Sequence, residues 1–271
     1  MNELKATCDA KTRFWKGQKN TFGLLPGLEG TCPGCTTSAG GCWYRAPGKK
    51  QATCYVDNLM TARPNVRRVL EENTKLMMVS NYLEMVQILT VEVRRFEATE
   101  LRRAKKNGEE PNLFYRIHWS GDMFNEDYTN ALRAVIEAHP QITFWGYTRT
   151  FSAVTVLSDL PNLVLFLSLD PVNAQHGLAL YDSLADDPNI RLCYMNSENN
   201  FQEHIDNAKA ILDGRNKLRE MLGAAPNDIS WLDNIKMQAC PVDTGELALD
   251  GGCSKCRMCM NDANKSVWFK T

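Results

Sequence analysis

Apolar residues recur every three to four positions across residues 64–106, with charged and polar residues between them. Because residues at that spacing share one face of an α-helix, the pattern predicts two amphipathic helices, over about 64–79 and 82–106. Asn107-Gly108 and Pro111 end the second helix, since glycine adopts the left-handed conformation that closes helices and proline cannot continue one.

The hydrophobic pattern then alternates between short continuous runs and helical spacing. The runs are rich in β-branched and aromatic residues and predict strands over Leu113–His118, Ile142–Tyr147, Leu163–Leu169 and Ile190–Met195. The helical patterns lie at about 126–138, 151–159, 173–186 and 200–222, with Asn125 and Asn173 as expected N-caps. Strands joined by helices run parallel, and nearly all-apolar strands are typical of a sheet covered on both faces. We therefore expect an α/β domain over residues 1–222 and an irregular tail over 223–271.

Polar residues fall at one place in each predicted unit, just past the carboxyl end of the strand. They are His118–Asp122, Tyr147–Arg149, Ser168–Asp170 and Asn196–Glu198. In parallel α/β folds, strand ends and helix N-termini converge at this edge and ligands bind there. The alternative is that these serines, asparagines and aspartates only cap helices and form turns.

Four cysteines, Cys32, Cys35, Cys42 and Cys54, fall within 23 residues of Gly-, Pro-, Ser- and Thr-rich sequence that predicts a loop. A short first strand is expected just before it, near residues 22–27. Ten cysteines in a chain without an export signal favour metal ligation or redox chemistry over disulfides. The spacing allows all four thiols to close around zinc or iron, or three to hold a cluster that leaves one iron open.

A second group, Cys253-x2-Cys256-x2-Cys259, has the spacing of ferredoxin-type ligands, and Cys240 is available as a fourth. Structural zinc is the competing interpretation, although zinc ribbons normally use two separated Cys-x-x-Cys pairs. The spacing therefore favours a second iron–sulfur cluster over zinc.

Composition narrows the function classes further. The formal net charge of −1 and a pI near 6.4 give the molecule as a whole no nucleic-acid-scale positive potential. Residues 1–60 carry eight basic and four acidic residues, a local charge of +4 that permits an anionic substrate. The chain shows neither an N-terminal apolar signal region nor an apolar run near 18 residues, so we expect a cytoplasmic protein outside the membrane.

Several segments together resemble a family of phage-encoded, radical-SAM-like proteins. These are Leu25-Pro26-Gly27, Thr31-Cys32-Pro33-Gly34, Cys54-Tyr55, Phe114–Phe124 with its Arg-Ile-His-Trp-Ser-Gly-Asp core, and Phe144–Arg149. The resemblance runs from about residue 22 to the Cys253–Cys259 group. It implies a partial (β/α) barrel, a 4Fe-4S cluster near the N-terminus and S-adenosylmethionine bound across the top of the barrel. The family's ligands correspond to Cys32, Cys42 and Cys54; Cys35 stands where the family has alanine, so Cys35 or Cys42 is the middle ligand.

By the same resemblance, residues at the strand ends would bind S-adenosylmethionine. Ser120, Gly121 and Asp122 would hold its ammonium group, Thr148 and Ser168 its ribose or carboxylate, and Arg149 an anionic group. The competing interpretation of Asp122 is a helix cap. His118 beside a tryptophan is assigned no acid–base role, because such a histidine is as often a core residue.

The function that the resemblance implies is a radical S-adenosylmethionine enzyme with a second, C-terminal 4Fe-4S cluster. Phage enzymes of this kind suggest an isomerase or rearrangement acting on a modified thymidine or other pyrimidine in DNA, in the cytoplasm of an infected bacterium. An external donor such as flavodoxin or ferredoxin would supply electrons. Two other classes remain: a zinc- or cluster-containing enzyme acting on nucleotides without S-adenosylmethionine, and a binding module in which both metal centres are structural.

Overall fold

The computed structural model describes residues 3–7, 13–184, 187–195, 198–234, 237–241, 243–248, 251–257 and 266–269, and they form an α/β fold. The strands are β1 (Thr21–Gly23), β2 (Phe114–Ser120), β3 (Thr143–Thr148), β4 (Leu163–Leu169), β5 (Ile190–Met195), β6 (Met237–Ala239) and β7 (Ser266–Phe269). The helices are α1 (Tyr55–Ala62), α2 (Pro64–Val79), α3 (Tyr82–Asn107), α4 (Glu126–Glu137), α5 (Phe151–Leu157), α6 (Ala174–Asp182), α7 (Glu198–Met221), α8 (Trp231–Asn234) and α9 (Gly252–Cys256).

The seven strands make one sheet in the order β1-β2-β3-β4-β5-β7-β6, and every neighbouring pair is parallel. The first five strands therefore lie side by side in chain order, each one beside the strand before it. Because crossovers between parallel strands are right-handed, a sheet that always grows in one direction places its crossover helices on the same face.

That helical face holds the main core. One set of strand side chains packs with side chains from α3 to α8 in a single cluster, which includes Ile117, Leu165, Leu167, Leu192, Val93, Leu132, Val154, Leu178, Leu212 and Leu232. Leu165 and Leu167 are fully buried. Burying each such side chain contributes about 2 kcal/mol, so this interface accounts for much of the stability of the sheet.

The opposite face of the sheet has its own cluster. Trp145, Val164, Phe166, Cys193 and Val267 are buried there with Cys240, and Phe14, Phe114, Tyr147 and Cys256 pack against them. Residues adjacent in sequence, such as Val164 and Leu165, thus belong to different clusters because side chains alternate along a strand. The expectation of a sheet covered on both faces is confirmed.

The helices and strands predicted from the sequence largely match those of the structure. β4 and β5 have the predicted bounds, β2 and β3 begin one residue later than predicted, and α6 ends at Asp182 rather than near 186. Asn125 caps α4 as predicted, since its Oδ1 accepts the Tyr128 N–H at 2.8 Å. Asn173 occupies the N-cap position of α6 as predicted, but its side chain makes no capping hydrogen bond: its Oδ1 instead accepts the Asp170 N–H at 2.7 Å, at the strand end that precedes the helix.

The tail differs from the irregular segment that was expected. β7 pairs with β5, and β6 pairs with β7, so residues after 222 extend the parallel sheet by two strands. Strands of three and four residues are too short to show a hydrophobic period, which is why the pattern missed them. Among the described residues, none of the helices combines the length and apolar character needed to span a bilayer.

Candidate functional site

The four N-terminal cysteines lie in residues 31–54, here called the thiol loop, and this loop sits over the carboxyl ends of the central strands. Its first residue, Thr31, accepts the backbone N–H of Asp122 on its hydroxyl at 3.3 Å, just past β2. At Gly34 the loop meets the end of β3, where an added Cβ would come within 2.1 Å of the Arg149 carbonyl oxygen. Only glycine allows this approach, so the sequence fixes a backbone-to-backbone contact there.

Asp170, just past β4, forms the third attachment. Its fully buried carboxylate accepts hydrogen bonds on Oδ2 from the Thr36 hydroxyl at 2.6 Å and from the Cys42 N–H at 3.0 Å. Its Oδ1 accepts the N–H groups of Val172 at 2.9 Å and Asn173 at 3.1 Å. One carboxylate therefore joins the thiol loop to the turn between β4 and α6.

Arg149 brings a buried positive charge to the same place. Its Nη1 donates to Asp170 Oδ2 at 2.5 Å, and its Nη2 lies 3.6 Å from the Met195 sulfur at the end of β5. Burial opposes the charged guanidinium, but the neighbouring Cys42 and Asp170 raise the pKa of Arg149 above its ordinary value. The guanidinium thus stays charged, and it faces the sulfur atoms of the thiol loop.

The thiols of the loop interact in neighbouring pairs. The Cys35 thiol hydrogen-bonds with Cys32 and with Cys42. Cys54 lies near Cys42, and this neighbour contributes to raising the pKa of Cys54. The hydrogen bond to Cys32 is the largest cause that raises the pKa of Cys35, the hydrogen bond with Cys35 raises the pKa of Cys42, and burial raises the pKa of Cys54. Without a metal, these groups are therefore protonated thiols at neutral pH.

The fit of this loop to a metal rests on its donors. Within the described ranges, no group of three or more His, Cys, Asp or Glu side chains stands in an arrangement that would hold a metal ion. The sulfur atoms instead form a chain, Cys32 to Cys35 to Cys42, with Cys54 beside it. Thiolates are the ligands that zinc and iron–sulfur clusters use, and binding a metal removes their protons, so the donor set fits either.

Asp122, Thr148 and Arg149 meet as the sequence predicted, but they bind one another. Asp122 Oδ1 accepts the Thr148 hydroxyl at 2.6 Å, and Oδ2 accepts the Arg149 N–H at 2.7 Å. Burial raises the pKa of Asp122, against the effect of these hydrogen bonds. The helix-cap alternative does not hold, because the N-cap of α4 is Asn125. An ammonium ligand would have to share the Asp122 carboxylate with these donors.

The other predicted ligand residues lie at the same edge. The Ser120 hydroxyl donates to the Leu24 carbonyl oxygen at 2.7 Å and so ties β2 to the end of β1. Gly121 has a φ of 84°, and a Cβ there would lie 2.5 Å from the Thr31 hydroxyl, so this position also demands glycine. Ser168 is partly exposed near the end of β4, where it pairs with Cys193 of β5. Asn196 and Ser197 lie outside the described residues.

His118 is a core residue. Its Nε2 lies 2.6 Å from the Tyr128 hydroxyl, and its ring packs edge-on against Phe22. Burial, with a smaller contribution from Arg116, lowers the pKa of His118 to about 3. A neutral, buried imidazole agrees with the interpretation that assigned it no acid–base role.

The C-terminal cysteines are only partly described. Cys240 is 9% exposed in the cluster on the second face of the sheet, and Cys256 packs against that cluster. The side chain of Cys253 and all of Cys259 lie outside the described residues. Two of the four predicted ligands thus share one region of the fold, and the complete set stays a prediction.

Sequence reasoning missed Asp170 and Thr36 as site residues. Asp170 was recognised only as part of the strand-end segment, because nothing in a single sequence shows that a distant loop folds onto it. Thr36 gave no signal at all among the many threonines and serines of the loop.

The fold and the site define a class: a parallel α/β protein whose cysteine-rich loop covers the carboxyl edge of its sheet. The sequence profile of the family described as Gene product 88 matches residues 2–262, so the chain belongs to that family. It is 33% identical over 168 residues to the "Gene 88 protein" of Mycobacterium phage L5, which covers 61% of this chain and 63% of that protein.

The "Gene 88 protein" of Mycobacterium phage D29 is 31% identical over 160 residues, covering 58% of this chain and 59% of that protein. The matches therefore span about three fifths of the length of these relatives. No solved structure is significantly similar to the chain.

Proposed function

We propose that this protein is a radical S-adenosylmethionine enzyme built on a partial (β/α) barrel. The strand order supports the barrel, since β1 to β5 follow the chain order that a (β/α) barrel uses and share one helical face. The single observation that carries the proposal is the attachment of the thiol loop over the carboxyl edge of this sheet, beside Asp122, Thr148 and Arg149.

In this proposal Cys32, Cys42 and Cys54, with Cys35 as the alternative middle ligand, hold a 4Fe-4S cluster. When bound, a cluster with one iron free of protein ligands would supply the electron that cleaves S-adenosylmethionine to a 5′-deoxyadenosyl radical. Cys240, Cys253, Cys256 and Cys259 would hold a second 4Fe-4S cluster.

The protein's own contribution is positioning and charge. Thr31, Gly34 and Asp170 hold the thiol loop on the sheet edge. Arg149 places a positive charge against sulfur atoms that become negative when a metal binds, which lowers the electrostatic cost of gathering several thiolates.

For the substrate we propose a modified thymidine or other pyrimidine of phage DNA, changed by an isomerase-type rearrangement in the cytoplasm of the bacterial host. The phage origin of the relatives and the local charge of +4 over residues 1–60 support this. Flavodoxin or ferredoxin of the host would be the electron donor.

The test is anaerobic purification followed by iron and sulfide analysis, then incubation with dithionite and S-adenosylmethionine. We expect iron and sulfide in the protein and 5′-deoxyadenosine among the products. The double variant Cys32→Ser/Cys42→Ser should form no 5′-deoxyadenosine and keep only about half of the iron and sulfide, because the proposed C-terminal cluster remains. Cys193→Ser, a buried cysteine outside both proposed ligand sets, should keep the product and all of the iron and sulfide. Iron-containing protein that never forms 5′-deoxyadenosine would refute the radical mechanism.

One observation favours a second candidate, a structural or catalytic zinc site made by all four thiols. Cys35 lies beside both Cys32 and Cys42, and Cys54 lies near Cys42, so the loop brings together four thiols, one more than a cluster with one open iron uses. This candidate predicts a colourless protein with zinc, in which S-adenosylmethionine is neither bound nor cleaved.

A further inference from the structure

Asp170 uses its two carboxylate oxygens for two separate tasks. Oδ1 accepts the N–H groups of Val172 and Asn173, so it holds the turn that follows β4. Oδ2 accepts the Thr36 hydroxyl and the Cys42 N–H, which belong to a segment more than a hundred residues away. The first task is local, and the second fixes a distant loop.

Asp170 binds the backbone N–H of Cys42, the residue whose sulfur is a candidate metal ligand. Because the Cys42 N–H donates both to Asp170 Oδ2 and to the Thr36 hydroxyl at 3.0 Å, the main chain at Cys42 is fixed from two sides. The Thr36 hydroxyl in turn donates to Asp170 at 2.6 Å, which closes a three-membered hydrogen-bond ring. Cys42 is 5% exposed, so water cannot readily replace these bonds.

The close approach of the loop backbone supports the same conclusion. A Cβ on Gly41 would come within 2.4 Å of the Thr36 carbonyl oxygen, so the loop folds tightly on itself between the two residues that Asp170 holds. Hydrogen bonds and close packing within the protein therefore hold the main chain from which the Cys42 sulfur projects.

We propose that Asp170 is the positioning residue of the thiol loop: its Oδ2 fixes Cys42 at the sheet edge before any metal binds. The inference rests on the proposed function only in treating Cys42 as a metal ligand. Its structural part, an ordered loop in the metal-free protein, holds for iron and zinc alike.

Asp170→Asn separates the two tasks. The remaining amide oxygen can still accept the N–H groups of the turn, but the new NH2 group faces three donors: Thr36, Cys42 and Arg149. The matched control is Asp228→Asn. Asp228 is an exposed aspartate whose Oδ1 accepts the N–H two residues later, from Ser230, at 2.9 Å, as Asp170 does with Val172.

The measurement is hydrogen exchange of the Cys42 amide and alkylation of the loop thiols in metal-free, reduced full-length protein. We expect Asp170→Asn to speed both about tenfold to a hundredfold, the factor that corresponds to losing a hydrogen bond to a charged acceptor. Asp228→Asn should leave both rates unchanged. Equal rates in the wild type and Asp170→Asn would overturn the proposal.

Loss of Asp170 also leaves Arg149 without its partner, which can destabilise the whole fold. The double variant Asp170→Asn/Arg149→Met removes that charge and should recover much of the thermal stability while Cys42 exchange stays fast. Recovery of Cys42 protection together with stability would overturn the proposal, because Asp170 would then act only on global folding.

Metal uptake gives the final readout. With Cys253→Ser and Cys256→Ser added to both variants to remove the proposed C-terminal site, Asp170→Asn incubated with limiting ferrous iron and sulfide, or with zinc alone, should take up metal about tenfold more slowly than Asp228→Asn. Equal uptake rates would overturn the proposal. A wild type that binds zinc and does not cleave S-adenosylmethionine would refute the proposed enzyme, and the Cys42 result would stand apart from it.

Discussion

Replacing Glu92 by glutamine should stabilise the protein, and the gain should appear only as the pH rises above about 5. Glu92 lies in α3 with its side chain 2% exposed. Burial is the main cause that raises its pKa from 4.5 to about 7, and Glu3 adds to it; Arg95 and Lys19 act in the opposite direction. Arg95 lies 3.4 Å from Glu92 but also pairs with Glu3 at 2.7 Å, so its charge is shared.

The direction of the pH dependence follows from whether the folded or the unfolded chain binds the Glu92 proton more tightly. Below pH 4.5 Glu92 is protonated in both the folded and the unfolded chain, and its titration changes nothing. Between pH 4.5 and about 7 the folded chain keeps a proton that the unfolded chain has lost, so stability falls as the pH rises. The complete loss, present above pH 7, is about 3 kcal/mol, from the separation of the two pKa values. The glutamine side chain of the variant does not titrate, so the free energy of unfolding of the variant does not fall with pH at this position.

Urea denaturation at pH 4.5, 6, 7 and 8 measures this. Glu92→Gln should match the wild type at pH 4.5 and exceed it by about 2 to 3 kcal/mol at pH 8. The same substitution at exposed Glu110 controls for the loss of one negative charge. A difference between Glu92→Gln and the wild type that does not change with pH would show that burial does not hold this carboxyl neutral.

Three further substitutions test the loop, a helix end and the core. Gly34→Ala should lower total metal content towards about half, the share of the C-terminal site, because the new methyl group collides with the backbone just past β3 and disturbs the thiol loop. Gly214→Ala, with open space around it, should bind metal normally and gain about 0.5 to 1 kcal/mol from helix propensity. Asn81→Ala should cost about 1 kcal/mol in urea denaturation, since it removes the capping box of α3; a change within about 0.2 kcal/mol would contradict this. Leu165→Ala should cost about 2 to 5 kcal/mol, and Leu28→Ala, at an exposed site, under about 0.5 kcal/mol; equal costs would contradict the assigned core.

The alternation of apolar runs and helical periods was sufficient to predict β2 to β5 and the helices between them. Those elements are long enough for their burial to leave a period in the sequence, as in Leu163–Leu169, where six of seven residues are buried. The pattern could not predict β6 and β7, because their place in the sheet depends on partners far away in the chain and not on their own three or four residues.

The sequence was sufficient to predict most residues of the site but not the hydrogen bonds that join them. Cysteine spacing marked the thiol loop, and strand ends marked Asp122 and Thr148. The hydrogen bond from Cys42 to Asp170 joins residues that no local pattern relates, since they lie 128 positions apart in the chain. Gly34 is a second example. The need for glycine there becomes clear only from the structure, in which the Arg149 carbonyl oxygen occupies the space that a Cβ would need.

The position of β7 between β5 and β6 affects the order in which the protein is assembled during synthesis. The first five strands leave the ribosome in the order in which they pair, so each can join its neighbour on arrival. β6 emerges before β7, yet among the described residues β7 is the strand with which β6 pairs, at the edge of the sheet. The segment that carries Cys240 must therefore wait for residues 266–269 to be translated, and whatever these late cysteines bind is taken up by a sheet that is otherwise complete.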